Sequence, residues 1–155
     1  MGNLTQSFLG NPASWKAARL QLTSLQALWG GWVVTALGNG EAIVQHVSHV
    51  RLERRYRFDL GQVEVTALFE ACVGHDLLAL PGPQRPGVPD EIRMGLTLVN
   101  PQGEARTVTK WAGDRQEAFE AVMRPLFALT ARTEKLEPFL TGPFDWPGVP
   151  GGLPA

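Results

Sequence analysis

Between Ile92 and Arg132 the chain switches its hydrophobic period, and the two halves of that stretch predict different elements. Ile92, Met94, Leu96 and Leu98 alternate with Arg93, Gly95, Thr97 and Val99, the period of a strand with one buried face. Asn100-Pro101-Gln102-Gly103 has the chemistry of a turn, because proline presets φ and glycine accepts the closing conformation. Glu104 to Trp111, rich in threonine and valine, reads as the returning strand. Asp114 followed three residues later by Glu117 reads as an N-cap with its capping box. Ala118, Phe119, Val122, Met123, Leu126 and Phe127 then recur at spacings of three and four, giving one apolar helical stripe. Pro125 lies inside that stripe, which predicts a kink or a split.

The chain before this unit is mostly β in character. Trp15 to Trp29 carries two patterns. Trp15, Ala18, Leu22, Leu25 and Trp29 share a helical face, whereas Ala18, Leu20 and Leu22 alternate with polar residues as a strand would. The strand reading, over Lys16–Thr23, is preferred because the following stretch supplies a sheet to join. Trp32–Leu37 is apolar and β-branched, and Gly38-Asn39-Gly40 is a hairpin signal. Glu41–Val50 returns, and Arg51–Leu60 follows after a bend near Ser48. Asp59 or Gly61 opens a helix whose buried face is Val65, Leu68, Phe69 and Cys72. Gly74 is placed to end it. Leu77, Leu78 and Leu80 lock that end onto the sheet. Pro81 to Pro89 holds four prolines and two glycines, which makes it a stiff loop.

These elements predict an α+β fold of two layers: an antiparallel sheet of about five or six strands with two helices packed on one face. The expected core is Leu22, Val34, Val44, Phe58, Leu68, Leu80, Leu96, Leu98, Val108, Phe119, Val122 and Leu126. One domain spans 15–137. Residues 1–14 are expected to be loosely ordered, and 138–155, with five prolines, four glycines and several aromatic residues, to form an extended tail.

Composition narrows the function classes. Fourteen basic residues face fifteen acidic ones in 155 residues, so no general attraction to nucleic acid or anionic lipid is expected. No stretch has the length and apolarity of a membrane span, and Met1 to Trp15 lacks the pattern of a secretory signal. A myristoylation motif would need Ser or Thr where Gln6 stands. A cytoplasmic protein is the expectation. Cys72 is the single cysteine and falls on a predicted buried face, where packing rather than nucleophilic chemistry is expected.

Candidate chemistry is sparse, and no cofactor or metal set emerges. His46 and His49 point to opposite faces if they lie in a strand, which disfavours a shared metal. His75 and Asp76, with Glu70 nearby, are the alternative acid/base set of a small hydrolase or transferase. Arg51, Arg54, Arg55 and Arg57, offset by Glu53, form a basic stripe. Nucleic-acid binding through it is the less favoured alternative to a solvated strand face. Arg54 sits on the apolar side of the alternation and asks for a buried acid or a bulge. Gly30-Gly31 and Gly38-Asn39-Gly40 lack the strand-to-helix context of phosphate loops and read as turn glycines. The side chains chosen as partner anchors are Trp29 and Trp32, which flank the double glycine, and Phe139, Phe144 and Trp146 in the tail. The tail has a competing use, which is to fold back over the protein's own core.

The element order, in which a glycine-bearing hairpin precedes a helix ending in Leu77, Leu78, Leu80 and Pro81, then a Pro-rich gap, the Ile92–Trp111 hairpin and a last amphipathic helix, resembles emfourin-type domains. These are small bacterial α+β inhibitors of metalloproteases. The resemblance covers roughly residues 16–132 and rests on element order alone. The chain departs from it in the extra β sequence at Glu41–Leu60 and in its aromatic tail, so no inhibitory residue is carried over. The resemblance implies a non-catalytic binding protein. Together with the low charge and the apolar tail, it favours a protein-interaction module, either an accessory subunit or an inhibitor.

Overall fold

A computed structural model describes residues 3–26 and 28–144. The seven strands are Arg19–Gln26 (β1), Gly30–Leu37 (β2), Glu41–Val47 (β3), Leu52–Asp59 (β4), Arg93–Val99 (β5), Ala105–Trp111 (β6) and Leu140–Pro143 (β7). They form one sheet in the order β6-β5-β1-β2-β3-β4-β7, with every neighbouring pair antiparallel. The α-helices are Leu4–Leu9 (α1), Gln62–Gly74 (α2) and Glu117–Phe127 (α3), and 3-10 turns run over Pro12–Ala17, Leu77–Ala79 and Ala128–Lys135.

The strand alternation decides the two faces. Leu20, Leu22, Val34, Ala36, Ala42, Val44, Leu96 and Leu98 point to one side, where Val65, Leu68, Phe69, Phe119, Val122 and Leu126 of α2 and α3 meet them in the main core. Each fully buried side chain of this size contributes about 1.5–3 kcal/mol of transfer free energy. The expected core is buried except Phe58 and Leu80, which are half-buried against it. The opposite face holds a second, smaller cluster, in which Phe144 packs on Leu25, Val33, Ile43 and Val47.

The α+β class and the antiparallel sheet are as expected, but the sheet has seven strands rather than five or six. The extra strand is β7, four residues of the Pro/Gly-rich tail. Pro143 is tolerated there because an edge strand need not donate on its outer side. Phe139 N–H donates to Arg55 O at 2.8 Å and Phe144 N–H to Arg51 O at 2.8 Å, so both ends of β7 are tied to β4.

Residues 3–14, expected to be loosely ordered, contain α1 and the start of a 3-10 turn. At six residues α1 is too short to show a helical period, and tertiary bonds hold it. Thr5 is fully buried. Its N–H and hydroxyl donate to Asp76 Oδ1 at 3.0 and 2.9 Å, and its hydroxyl accepts from Leu78 N–H at 2.9 Å. The strand expected at Lys16–Thr23 is β1, starting three residues later. Before it, the Asn11 side chain accepts from Ala13 N–H and Pro12 takes the first position of the 3-10 turn.

The last helix starts at Glu117, later than the capping box implied. Asp114 is drawn away to accept from Arg85 Nε at 2.8 Å, and the Glu120 carboxylate accepts from Gln116 N–H at 3.0 Å instead. Beyond Pro125 the α-helix lasts two residues and passes into the 3-10 turn, the split its ring foretold.

Candidate functional site

The β1–β2 and β3–β4 hairpin tips lie side by side at one end of the sheet, and glycine makes this approach possible. Gly30 has φ +78°, and a Cβ built on it would lie 2.1 Å from Val47 O and 2.8 Å from Ser48 O. The β1–β2 tip is clamped by the Gln26 side chain, whose carbonyl oxygen accepts from the N–H groups of Leu28 and Trp29. The β3–β4 tip closes with Ser48 N–H donating to Leu52 O at 2.9 Å, and it places Arg51 at φ 61°.

This tight backbone leaves large apolar side chains in water. Leu28 is 60% exposed, Trp29 67%, Val50 59% and Leu52 55%. Beside Val50 and Leu52 opens a cavity of 650 Å³, with His46, Ser48, Arg54 and Thr141 also on its walls. Trp32 forms the adjoining wall of the sheet, half-buried with its ring centroid 4.4 Å from that of His46. Desolvation, and secondarily the charge of Arg54, push the His46 imidazole below its ordinary pKa, so it is a neutral group beside a cation at physiological pH. The end of the sheet thus offers apolar projections on two adjoining tips, with a hollow beside Val50 and Leu52 that holds one exposed guanidinium.

The expected anchors separate into different environments. Trp29 projects from its tip, and Trp32 is largely used in packing on the core and His46. Phe139 is 47% exposed on the β7 edge, with Arg57 stacked over its ring at 4.9 Å. Phe144 is buried in the chain's own second cluster. Trp146 lies outside the described residues. Leu28, Val50 and Leu52, exposed at the same tips, were not among the expected anchors. Leu52 falls on the apolar side of its strand, and alternation alone assigns it to the core. The helices do not extend over that end of β4.

The basic stripe divides between the two faces. Arg54 faces the hollow, opposite His46. The buried acid expected for Arg54 does not serve it: Glu53, one residue away, is buried but pairs elsewhere. It lies on the other face, accepting from Arg55 Nε and from Gln45 Nε2 at 3.1 Å. Arg57 pairs with Glu41 at 3.6 Å. The strand parity therefore breaks the run of arginines into three local environments.

The alternative acid/base set does not converge either. Asp76 Oδ1 is occupied by Thr5, His75 is exposed at the helix end, and Glu70 is an exposed residue on α2. Cys72 is fully buried, and burial pushes its thiol up to about 12. Among the described residues no group of three His, Cys, Asp or Glu side chains comes together to hold a metal, and no helix is long and apolar enough to cross a membrane. In comparisons with known proteins, the chain matches no family model and no curated protein sequence.

Proposed function

We propose that the protein is a non-catalytic interaction module that docks a partner protein on the paired hairpin tips. The observation that carries this reading is the concentration of Leu28, Trp29, Val50 and Leu52 at one end of the sheet, each more than half exposed. Leaving a side chain of this kind in water forgoes about 1.5–3 kcal/mol of burial. An exposed tryptophan is also enriched among binding hot-spot residues. Arg54 in that hollow favours a partner that brings an acidic or carbonyl-rich group to it. Emfourin-type element order agrees with a binding role and leaves the target open.

The test is affinity capture from the native host with the full chain, read by mass spectrometry against a Trp29→Ala, Val50→Ser double variant. Both side chains are exposed, so the variant is expected to keep its thermal unfolding profile. A partner retained by the wild type and lost by the variant supports the module. A partner retained equally by both moves the interface elsewhere, and capture of nothing by either rejects the reading.

A further inference from the structure

We propose that the free edge of β6, walled by the Pro-rich loop, takes up an acidic extended polypeptide segment as an additional strand. This surface is separate from the hairpin tips, and its test does not depend on them.

The hydrogen-bond register of the β5–β6 hairpin decides what the edge offers. Asn100 N–H donates to Glu104 O and Ala112 N–H to Ile92 O, both at 2.9 Å. The residues that turn their backbone toward β5 therefore have the parity of Glu104 and Ala112. Ala105, Thr107 and Thr109 turn theirs outward. Among the described residues, no loop backbone or side chain hydrogen-bonds the outward N–H and C=O groups of Thr107 and Thr109. An edge of this kind is a template for strand addition.

The loop stands away from the edge and leaves a cleft. A cavity of 370 Å³ separates Pro81, Gly82, Pro83 and Arg85 from Thr109 and Lys110. A second, of 320 Å³, continues along the strand between Leu78 and Leu80 on one side and Thr107 and Val108 on the other. The loop is fixed in this position. Trp111 Nε1 donates to Arg85 O at 2.9 Å, and the Arg85 guanidinium bonds both Glu91 oxygens at 3.0 and 2.7 Å and Asp114 at 2.8 Å. This wall also selects the occupant. A second copy of the chain would bring its own Pro81–Arg85 wall, which would keep two β6 edges from reaching the ~4.8 Å of paired strands. A single extended segment brings no second wall.

Charge gives the chemistry of that segment. Arg85, Arg106, Lys110 and Arg115 border the cleft; Arg85 is engaged by both Glu91 and Asp114, and the buried Lys110 ammonium donates to Trp111 O and Asp114 O, which leaves Arg106 and Arg115 as the cations open to a ligand. This is a cationic island on a chain of net charge -1. Arg106 and Arg115 form no ion pair among the described residues, and the Arg106 guanidinium rests 4.8 Å above the Phe8 ring. A strand beside β6 would place one side chain near Arg106, the next on the same face over Val108 and against Leu78 and Leu80, and the next near Lys110 and Arg115. The matching pattern is acidic, apolar, acidic at alternate positions.

The probe is a fluorescein-labelled peptide in which threonines alternate with glutamate, valine and glutamate, compared with the same peptide carrying lysine for glutamate. Fluorescence anisotropy is expected to show saturable binding of the glutamate peptide and none of the lysine peptide. Thr107→Pro removes one outward N–H and no bond to β5, so it should weaken binding about tenfold, the scale of one lost buried hydrogen bond, with thermal unfolding unchanged. Arg106→Glu with Arg115→Glu should invert the peptide preference. In the wild type, amide exchange at Thr107 and Thr109 should slow on binding, which decides the matter even if the proline variant misfolds. Absence of binding, equal binding by Thr107→Pro in its folded form, or slowed exchange only outside β6 would overturn the proposal.

Discussion

Replacing Phe144 by alanine tests whether the tail serves the chain's own core or a partner. The ring is 7% exposed and closes the small cluster of Leu25, Val33, Ile43 and Val47 on the face opposite the helices. Truncating a core phenylalanine to alanine costs about 3–5 kcal/mol, counting both lost transfer energy and the cavity left behind. Phe144 follows directly on an edge strand of four residues, where the neighbouring chain relaxes more easily than in a central strand. That argues for the lower bound of about 3 kcal/mol. Domains have total stabilities of about 5–15 kcal/mol, so the loss is large. For a chain of this length it lowers the melting temperature by about 6–12 °C. In urea, with a slope of about 2 kcal/mol per molar, the midpoint falls by about 1.5 M at an unchanged slope. Equilibrium unfolding followed by tryptophan fluorescence and circular dichroism measures this directly. A midpoint shift below about 0.3 M would refute the reasoning and return Phe144 to the list of partner anchors.

Three further outcomes follow from local geometry. In Gly38→Ala the new Cβ would lie 1.8 Å from Trp15 O, a contact with rigid backbone. The variant is expected to lose more than about 4 kcal/mol in urea unfolding or to fail to express as folded protein. The Glu91 carboxyl is held down at about 2, chiefly by its hydrogen bonds from Arg85 and further by the N–H groups of Gly113 and Val88. Its folded pKa lies below its ordinary value of 4.5, so its contribution to stability is present above pH 4.5 and lost as the pH falls toward 2. Glu91→Gln should flatten the acid-unfolding curve across that window, and an unchanged curve would contradict the Arg85 network. Cys72, with its thiol raised to about 12 by burial, should resist a thiol reagent at pH 8 until urea unfolds the chain. Rapid labelling of the native protein would show that α2 opens readily.

The extent to which the sequence was legible varied with the length of each pattern. The Ile92–Trp111 hairpin, the Gly38–Gly40 turn and the buried stripe of α2 were clear because many residues repeat one period. The candidate site was harder to see. Trp29 beside the double glycine pointed to one of the two tips on which the proposed site lies. Nothing local to Val50 or Leu52 distinguishes an exposed apolar residue from a core one, because that depends on where the helices stop covering β4.

The amino-acid order alone determined the α+β class, the antiparallel pairing of consecutive hairpins and which helix faces are buried. Those features follow from periodicity and turn chemistry, which act within a few residues. Tertiary structure decided the rest. It added a seventh strand to a Pro/Gly-rich tail because the free edge of β4 supplied hydrogen bonds that the tail's own propensity could not. It ordered α1 by burying Thr5 against Asp76, and it moved the start of α3 by giving Asp114 to Arg85. It also exposed Leu52 while burying Glu53. In the first three cases partners far apart in the chain outweighed the local preference, and a linear pattern carries no record of them.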